Sequence, residues 1–393
     1  MRICHVTPHL PPEQAANALL PFHLGQWAAE SGCEVAYLAH PPRWDPSRRQ
    51  PGAELPGPAT WIPENRAKSA VARRLRLDAM TGFATISRLA SPAIDWCDVV
   101  HLHSNGLLVE VCAWLAERKR KPTVLTLYGT EIWHYKPRPV VDLFTRAYRR
   151  AAQVTFYSHG LMNHATQAGL ARRHATVIYP PVADAFLGRE MSVQEAREAL
   201  GLRSRHVVVN VKRLHPLAGQ RYLLQAMGEV IRWFPDTRLV ICGTGAMLDE
   251  LQLVARSAGV AGHVVFAGLV DNETIARYDM AADVFVLPSL LEACPTVALE
   301  ALACGTPVIS SDNPGGVELN DLFGVDVGIV PKENDAVLAA AIIDALEVKR
   351  RVRRETRETL RRDFSARHVA AQFVDVYEKA AQRDAASRLQ PAT

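Results

Sequence analysis

Short β-branched runs alternate with longer helical patterns through the whole chain, and they do so twice over. In the first half, Ile3 to Val6, Glu34 to Leu38, Val99 to Leu102, Val124 to Leu127, Val154 to Tyr157 and Val177 to Tyr179 read as strands by length and content. In the second half, His206 to Val211, Thr237 to Cys242, His263 to Ala267, Asp283 to Leu287, Pro307 to Ser310 and Gly328 to Val330 do the same. Helical patterns fill the intervals. Such alternation predicts parallel sheets covered by helices on both faces. The expected fold class is therefore α/β, two doubly wound Rossmann-like domains facing a central cleft, with ligands outside the carboxyl ends of the strands. Tyr179-Pro180-Pro181 divides them, because the residue before each proline is pushed out of helix and neither proline can donate a ladder hydrogen bond. The domains are expected at 1–185 and 186–365, with a linker near 180–190. Residues 366–393 form a C-terminal helix free to pack back on the first domain. Prolines at 41, 42, 46, 51, 56, 58 and 63 mark an exposed excursion, followed by a basic helical segment from Lys68 to Leu89.

Composition narrows the function classes. At 48% hydrophobic and 22% charged residues the chain can bury a sizeable core, which excludes general disorder. No uncharged apolar run reaches the roughly 18 residues of a membrane span. The strand-like Arg2 to Val6 directly after Met1 leaves no room for a secretory signal, so a cytoplasmic location is expected. Seven singly scattered cysteines, without Cys-x-x-Cys, read as reduced and mostly buried thiols. Residues 1–185 carry a formal charge of +7 and residues 186–393 one of −3. The basic clusters lie on helical patterns without interleaved aromatics, which argues for solvated helix faces and against a nucleic-acid partner.

The strongest local signal runs from Pro288 to Val308. It comprises a strand end, a loop bearing Glu292, a helix starting near Pro295 with Glu300 inside it, and Gly305 as its stop. Free amides around Thr296 and Val297, at the positive end of the helix dipole, form an anion pocket. Eight residues of helix span about 12 Å at 1.5 Å per residue, a separation at which Glu292 and Glu300 hold the two ends of a nucleotide-sugar. The same spacing is equally compatible with Glu292 as a helix cap and Glu300 as a solvated side chain.

Glu292, Glu300, Ala301, Gly305, Pro307 and Val308 fall in the order Glu-x7-Glu then Ala-x-x-x-Gly-x-Pro-Val, and the sequence here resembles glycosyltransferase family 4, retaining GT-B enzymes that use nucleotide-sugars. Asn313 to Glu318 resembles that family's Gly-Gly-x-x-Glu loop. The resemblance implies that Glu292 contacts the donor sugar, Glu300 the ribose, and the amides after Pro295 the diphosphate. Arg213-Leu214 matches the family's diphosphate-binding Arg-Leu. The Lys-Gly that follows in the family is Ala218-Gly219 here, so one phosphate cation is missing, and Lys212 is a candidate replacement. Gly243-Thr244-Gly245 follows a strand and opens a helix, and Gly268-Leu269-Val270 resembles the strand end whose main chain reads a uracil in the family; both also fit ordinary tight turns.

The first domain departs further. Pro11 to Ala18 lacks the family's Gly-Gly loop. Thr126 to Trp133 resembles Thr-x-His-Gly-Thr-Asp-x-Trp, with Tyr128 in place of histidine, Gly129 kept and Glu131 in place of aspartate. Asp98 to His103 keeps Asp-x-x-His-x-His, which makes His103 a cleft candidate, with a core or capping role as the alternative. The resemblance implies no metal, no Asp-x-Asp triplet occurs in the chain, and the UDP-sugar is a substrate, so no cofactor is expected. Val211 to Gly219 and Pro288 to Thr296 look most like transferases of aminoglycoside-antibiotic synthesis, whose acceptor is a pseudodisaccharide such as paromamine. A polycationic acceptor meeting a +7 domain needs local carboxylates; Glu13 and Glu131 are the candidates, with Trp133 and Tyr135 offering apolar faces. Competing readings are a peripheral-membrane transferase using a lipid-linked or polysaccharide acceptor, a non-catalytic sugar-nucleotide-binding protein, and a nucleotide-sugar epimerase.

Overall fold

The structure is a computed structural model that describes residues 1–11, 13, 16–42, 54–64, 77–138, 141–170, 174–188 and 191–389. The chain forms two units, Met1–Ile178 together with the chain from Val369 onward, and Tyr179–His368.

In the first unit the strands are β1 (Arg2–Thr7), β2 (Glu34–Ala39), β3 (Ala59–Trp61), β4 (Val99–His103), β5 (Thr123–Leu127), β6 (Gln153–Phe156) and β7 (Ala175–Val177). They form one sheet in the order β3-β2-β1-β4-β5-β6-β7, every pairing parallel. Strand order reverses between β1 and β4, so the crevice at their carboxyl ends is the topological switch point where such sheets take ligands. The last helix, Ala366–Leu389, buries Phe373, Val376, Tyr377 and Ala380, and the Tyr377 hydroxyl lies 2.8 Å from Nδ1 of His101 on β4.

The second unit contains β8 (His206–Val211), β9 (Thr237–Cys242), β10 (Val264–Gly268), β11 (Val284–Leu287), β12 (Val308–Ser311) and β13 (Val327–Val330). Their order is β10-β9-β8-β11-β12-β13, again all parallel, with the switch point between β8 and β11. Alternate residues feed two cores. Val207, Val209, Phe285 and Leu287 enter one, while Val208, Val284 and Val286 enter the other. Burial on both faces is why these strands read as continuous apolar runs rather than alternating ones.

Three differences from the sequence expectation have physical causes. β3 lies inside the proline-rich excursion, where three residues are too few to show a two-residue period; it is an edge strand, flanked by Pro58 and held to β2 by Tyr37 N–H to Pro58 O and Ile62 N–H to Ala39 O. β7 begins two residues early and stops before Tyr179-Pro180-Pro181. The helix expected at Lys68–Leu89 runs seven residues further, to Trp96, and its described part is Leu77–Trp96. It runs through Pro92, with Ala90 and Ile94 buried on its inner side. Residues 65–76, including the basic Arg73 to Arg76 cluster, lie outside the described residues, as do Pro46, Pro51 and part of the linker. All seven cysteines are free, five of them buried.

The helix Thr296–Ala303 ends as a Schellman motif: Gly305 N–H donates to Leu302 O at 3.0 Å and Thr306 N–H to Ala301 O at 2.9 Å. The helix Pro314–Phe323 is capped by Asn313, whose Oδ1 accepts from Gly316 N–H at 3.0 Å and whose Nδ2 donates to Ser289 O at 3.0 Å. Asn313 is fully buried. Its replacement by alanine removes a cap and a buried tie between the loops after β11 and β12, and should cost about 1–3 kcal/mol, read as a lower denaturation midpoint for the transition of the second unit.

Candidate functional site

Four loops meet at the carboxyl edge of the second sheet. The loop after β8 is tied to the one after β9 by Leu214 N–H to Thr244 O at 3.0 Å, and to the one after β11 by Leu290 N–H to Leu217 O at 2.8 Å. Gly243 has a positive φ of 141°, and a Cβ there would run into the Lys212 carbonyl; a glycine is required because these backbones touch. Gly315 N–H donates to Glu292 O at 3.0 Å, and a Cβ on Gly315 would lie 2.9 Å from the Glu292 Cβ. The Gly-Gly pair thus lets the loop after β12 press against Glu292.

Across the switch point itself, Lys212 Nζ lies 2.6 Å from Glu292 Oε1, both side chains largely shielded. Lys212 directly follows β8. Glu292 is in the loop after β11, four residues before the helix starts, so the helical 12 Å spacing between Glu292 and Glu300 does not apply. Neither does Glu292 cap that helix: Pro295 is its N-cap residue, without any side-chain cap bond. The first helical amides, of Thr296 and Val297, have no acceptor within the helix, at the place where the sequence reading expects an anion pocket.

Glu300 is half-buried on the second turn of that helix, and burial pushes its carboxyl up to about 7, with the Lys212 ammonium drawing it partway back. Asp279 is fully buried, and neither carboxylate oxygen has a partner among the described residues. Burial, with Glu300 nearby, raises its pKa well above the carboxylate range, so it keeps its proton. Sequence reasoning missed Asp279; the one available signal was an acidic residue on the apolar face leading into Met280-Ala281-Ala282.

Arg213 is exposed, and its guanidinium forms no ion pair among the described residues. Its main-chain carbonyl is held by buried Gln220, as is that of Lys212, both at 3.4 Å. Ala218 is buried. Gly268 has φ 70° with open space beside it, Leu269 is 68% exposed and Val270 is half-buried at the same edge.

In the first unit, His5 of β1 pairs in register with His101 of β4, and His103 lies two residues further along the same face. All three rings are fully buried. His103 Nε2 lies 3.0 Å from His5 Nδ1, and His103 Nδ1 lies 2.7 Å from the Tyr128 hydroxyl. His101 bonds Tyr377 and Thr126 through its two nitrogens. Three potential metal-ligand nitrogens therefore come within 4.8 Å of one another, though nearly all are engaged by protein partners. Burial pushes His5 down to about 3 and His103 well below its ordinary value, so these rings are neutral.

The Glu131 expectation is corrected. Its buried carboxylate accepts from the amides of Tyr128 and Gly129 and from the Thr130 hydroxyl, fastening its own loop, and is not a free group for an ammonium. Glu13 is half-buried with its carboxylate 2.6 Å from His9 Nδ1. Trp133 packs on His164 with centroids 4.7 Å apart. Pro12, Gln14 and Ala15 of the loop after β1 lie outside the described residues.

The profile described as glycosyl transferases group 1 matches residues 192–363, and that described as glycosyltransferase family 4 matches residues 22–186. A putative teichuronic acid biosynthesis glycosyltransferase, TuaC of Bacillus subtilis, is 30% identical over 301 residues, covering 75% of this chain and 69% of that protein. The chain belongs to glycosyltransferase family 4. A GDP-mannose-dependent α-(1-6)-phosphatidylinositol monomannoside mannosyltransferase of Mycolicibacterium smegmatis is 38% identical over 162 residues, 39% of this chain, and the match spans only 42% of that relative's length. Among solved structures, Anabaena HepE in complex with UDP superposes with a TM-score of 0.73 at 18% identity, covering 96% of this chain and 100% of that one. The family 4 fold is thus GT-B, two Rossmann-like domains, as the sequence predicts.

Within this family 4 chain, Glu300 gives a direct test of the site's electrostatics. A carboxyl whose folded pKa lies above its unfolded value favours the folded state at low pH and loses that contribution as pH rises through about 7. Between pH 5 and 8, Glu300→Gln should therefore gain stability relative to the parent, by on the order of 2 kcal/mol, measured by denaturant titration at the two pH values.

Proposed function

We propose that this chain is a retaining, metal-independent glycosyltransferase that moves a sugar from a UDP-sugar to an aminocyclitol pseudodisaccharide of the paromamine type, in aminoglycoside-antibiotic synthesis. The observation that carries the reading is the grouping at the β8/β11 switch point of Lys212, Glu292, half-buried Glu300 and the uncapped helix start at Thr296. With the neighbouring Arg213, that set offers cations and amides to a diphosphate and carboxylates to vicinal hydroxyls. Support for uridine comes from the UDP named with HepE, and from the resemblance of Gly268-Leu269-Val270 to the family's base-reading strand end. Support for a cyclitol acceptor comes from the segments Val211 to Gly219 and Pro288 to Thr296, and from the mycobacterial relative, whose named acceptor is built on inositol, itself a cyclitol.

In the proposed reaction the acceptor hydroxyl attacks the anomeric carbon on the face from which the diphosphate departs. The new bond is C–O to the acceptor, the bond to the phosphate oxygen breaks, and that oxygen takes the acceptor's proton. No enzymic nucleophile is needed. Arg213 and the amides of Thr296 and Val297 stabilise charge growing on the leaving group, Glu292 grips the sugar and Glu300 the ribose, while His103, Tyr128, Gly129 and Trp133 serve the acceptor side.

Incubation with UDP- and GDP-sugars and paromamine, followed by mass analysis, should yield a glycosylated pseudodisaccharide from a UDP-sugar. Arg213→Ala should lower kcat/KM by roughly 100-fold, about 3 kcal/mol; a change under twofold would remove Arg213 from the leaving-group role.

A second reading keeps the chemistry but takes a lipid-linked or polysaccharide acceptor; its support is the relatives named for phosphatidylinositol monomannoside mannosyl transfer and for teichuronic acid biosynthesis. Among the described residues no helix is long and apolar enough to cross a membrane, so this version needs peripheral attachment. Co-sedimentation with anionic vesicles, together with transfer to a lipid acceptor and none to paromamine, would favour it.

A further inference from the structure

We infer that the hydroxyl of Tyr128 is a hydrogen-bond donor set by the buried chain His5–His103–Tyr128 to bind a lone-pair oxygen of the acceptor, such as a ring hydroxyl, rather than one of its ammonium groups. This rests on the acceptor-side reading above.

A neutral imidazole carries one donor and one acceptor nitrogen. His5 is fully buried and makes a single hydrogen bond, from Nδ1 to His103 Nε2 at 3.0 Å; its Nε2 has no partner among the described residues. A proton on Nε2 would bury an unpaired N–H and leave Nδ1 as the acceptor. A proton on Nδ1 satisfies the donor and leaves only a lone pair unmatched, the less costly arrangement, since orphaned buried N–H groups are the rarer kind. That choice propagates. His103 Nε2 must accept, so the His103 proton sits on Nδ1 and donates to the Tyr128 oxygen at 2.7 Å.

Tyr128 then receives a hydrogen bond at its oxygen and retains its own proton. No other partner of that hydroxyl occurs among the described residues. The residue is half-buried, directly after β5, and held in place by the Glu131 carboxylate on its amide and by the edge of Tyr157 at 4.8 Å between centroids. Burial keeps the phenol un-ionised and both rings neutral. An ammonium group, which has donors only, has no lone pair to accept the hydroxyl's proton. An acceptor oxygen matches it.

The first measurement is nitrogen NMR of the free protein with labelled histidine, assigned with His5→Asn and His103→Asn. Protons on Nδ1 of both rings are expected; a proton on Nε2 of His103 would overturn the inference, and this readout needs no catalysis. In the transfer assay, Tyr128→Phe should raise the acceptor KM about tenfold, with kcat within threefold and donor KM unchanged. His103→Leu should do likewise, whereas His103→Asn, whose amide N–H stands where Nδ1–H was, should restore acceptor KM to within about threefold of the parent. Unchanged acceptor KM in Tyr128→Phe, or equal defects in the Leu and Asn variants, would overturn it. Absence of any transfer by the parent protein would instead count against the proposed function and leave the NMR result to decide the chain's direction.

Discussion

The ion pair between Lys212 and Glu292 joins the carboxyl ends of β8 and β11, the two strands between which the order of the second sheet reverses. A carboxylate and an ammonium this well shielded are stable only as partners, since removing either leaves an uncompensated charge in a poorly solvated place. The same ammonium is the nearby cation that eases ionisation of Glu300. One lysine therefore serves two acidic groups, while burial, with Glu300 nearby, raises the pKa of a third, Asp279. The site is kept close to neutral by this sharing, and exposed Arg213 has no ion pair among the described residues.

The parallel architecture was legible because burial on both faces forces continuous apolar strands, and His206–Val211 and Thr237–Cys242 were read to the residue. Gly305 and the helix start near Pro295 were legible because each follows a local rule: a proline where a helix begins, a glycine after it ends. β3 was not, because three residues carry no period. The Lys212–Glu292 contact was not either, because strand alternation says only that Lys212 and Arg213 point apart, and it takes the β8–β11 neighbourhood to say which of them finds the carboxylate. Glu131 misled for a related reason: sequence marks an acidic residue but not whether its own backbone has already claimed it.

The two units build their polar groups differently. In the second, the chemistry lies in loops beyond the strand ends, and glycines at 243 and 315 let those loops close on one another. In the first, histidines and threonines are embedded in the strands themselves, where water cannot reach. Three imidazoles whose centroids lie 3.9 to 5.3 Å apart cannot all be charged, and the hydroxyls of Tyr128, Tyr377 and Thr126 suit neutral rings. Such an interior transmits hydrogen-bond direction rather than charge.

Buried Ala218 shows what the packing of these loops excludes at that position. Residue 218 is only 3% exposed, and the adjacent Gly219 sits with positive φ against the carbonyl of Pro288. A lysine at 218 would have to carry its stem out past this contact and past the hydrogen bond that ties Leu217 to Leu290. Close packing of the loops after β8 and β11 and a lysine at 218 are thus competing solutions. With the packed solution chosen, the loop has two cations left, Lys212 and Arg213. Consecutive residues leaving a strand diverge, so one can pair with Glu292 inside the pocket while the other remains at its mouth.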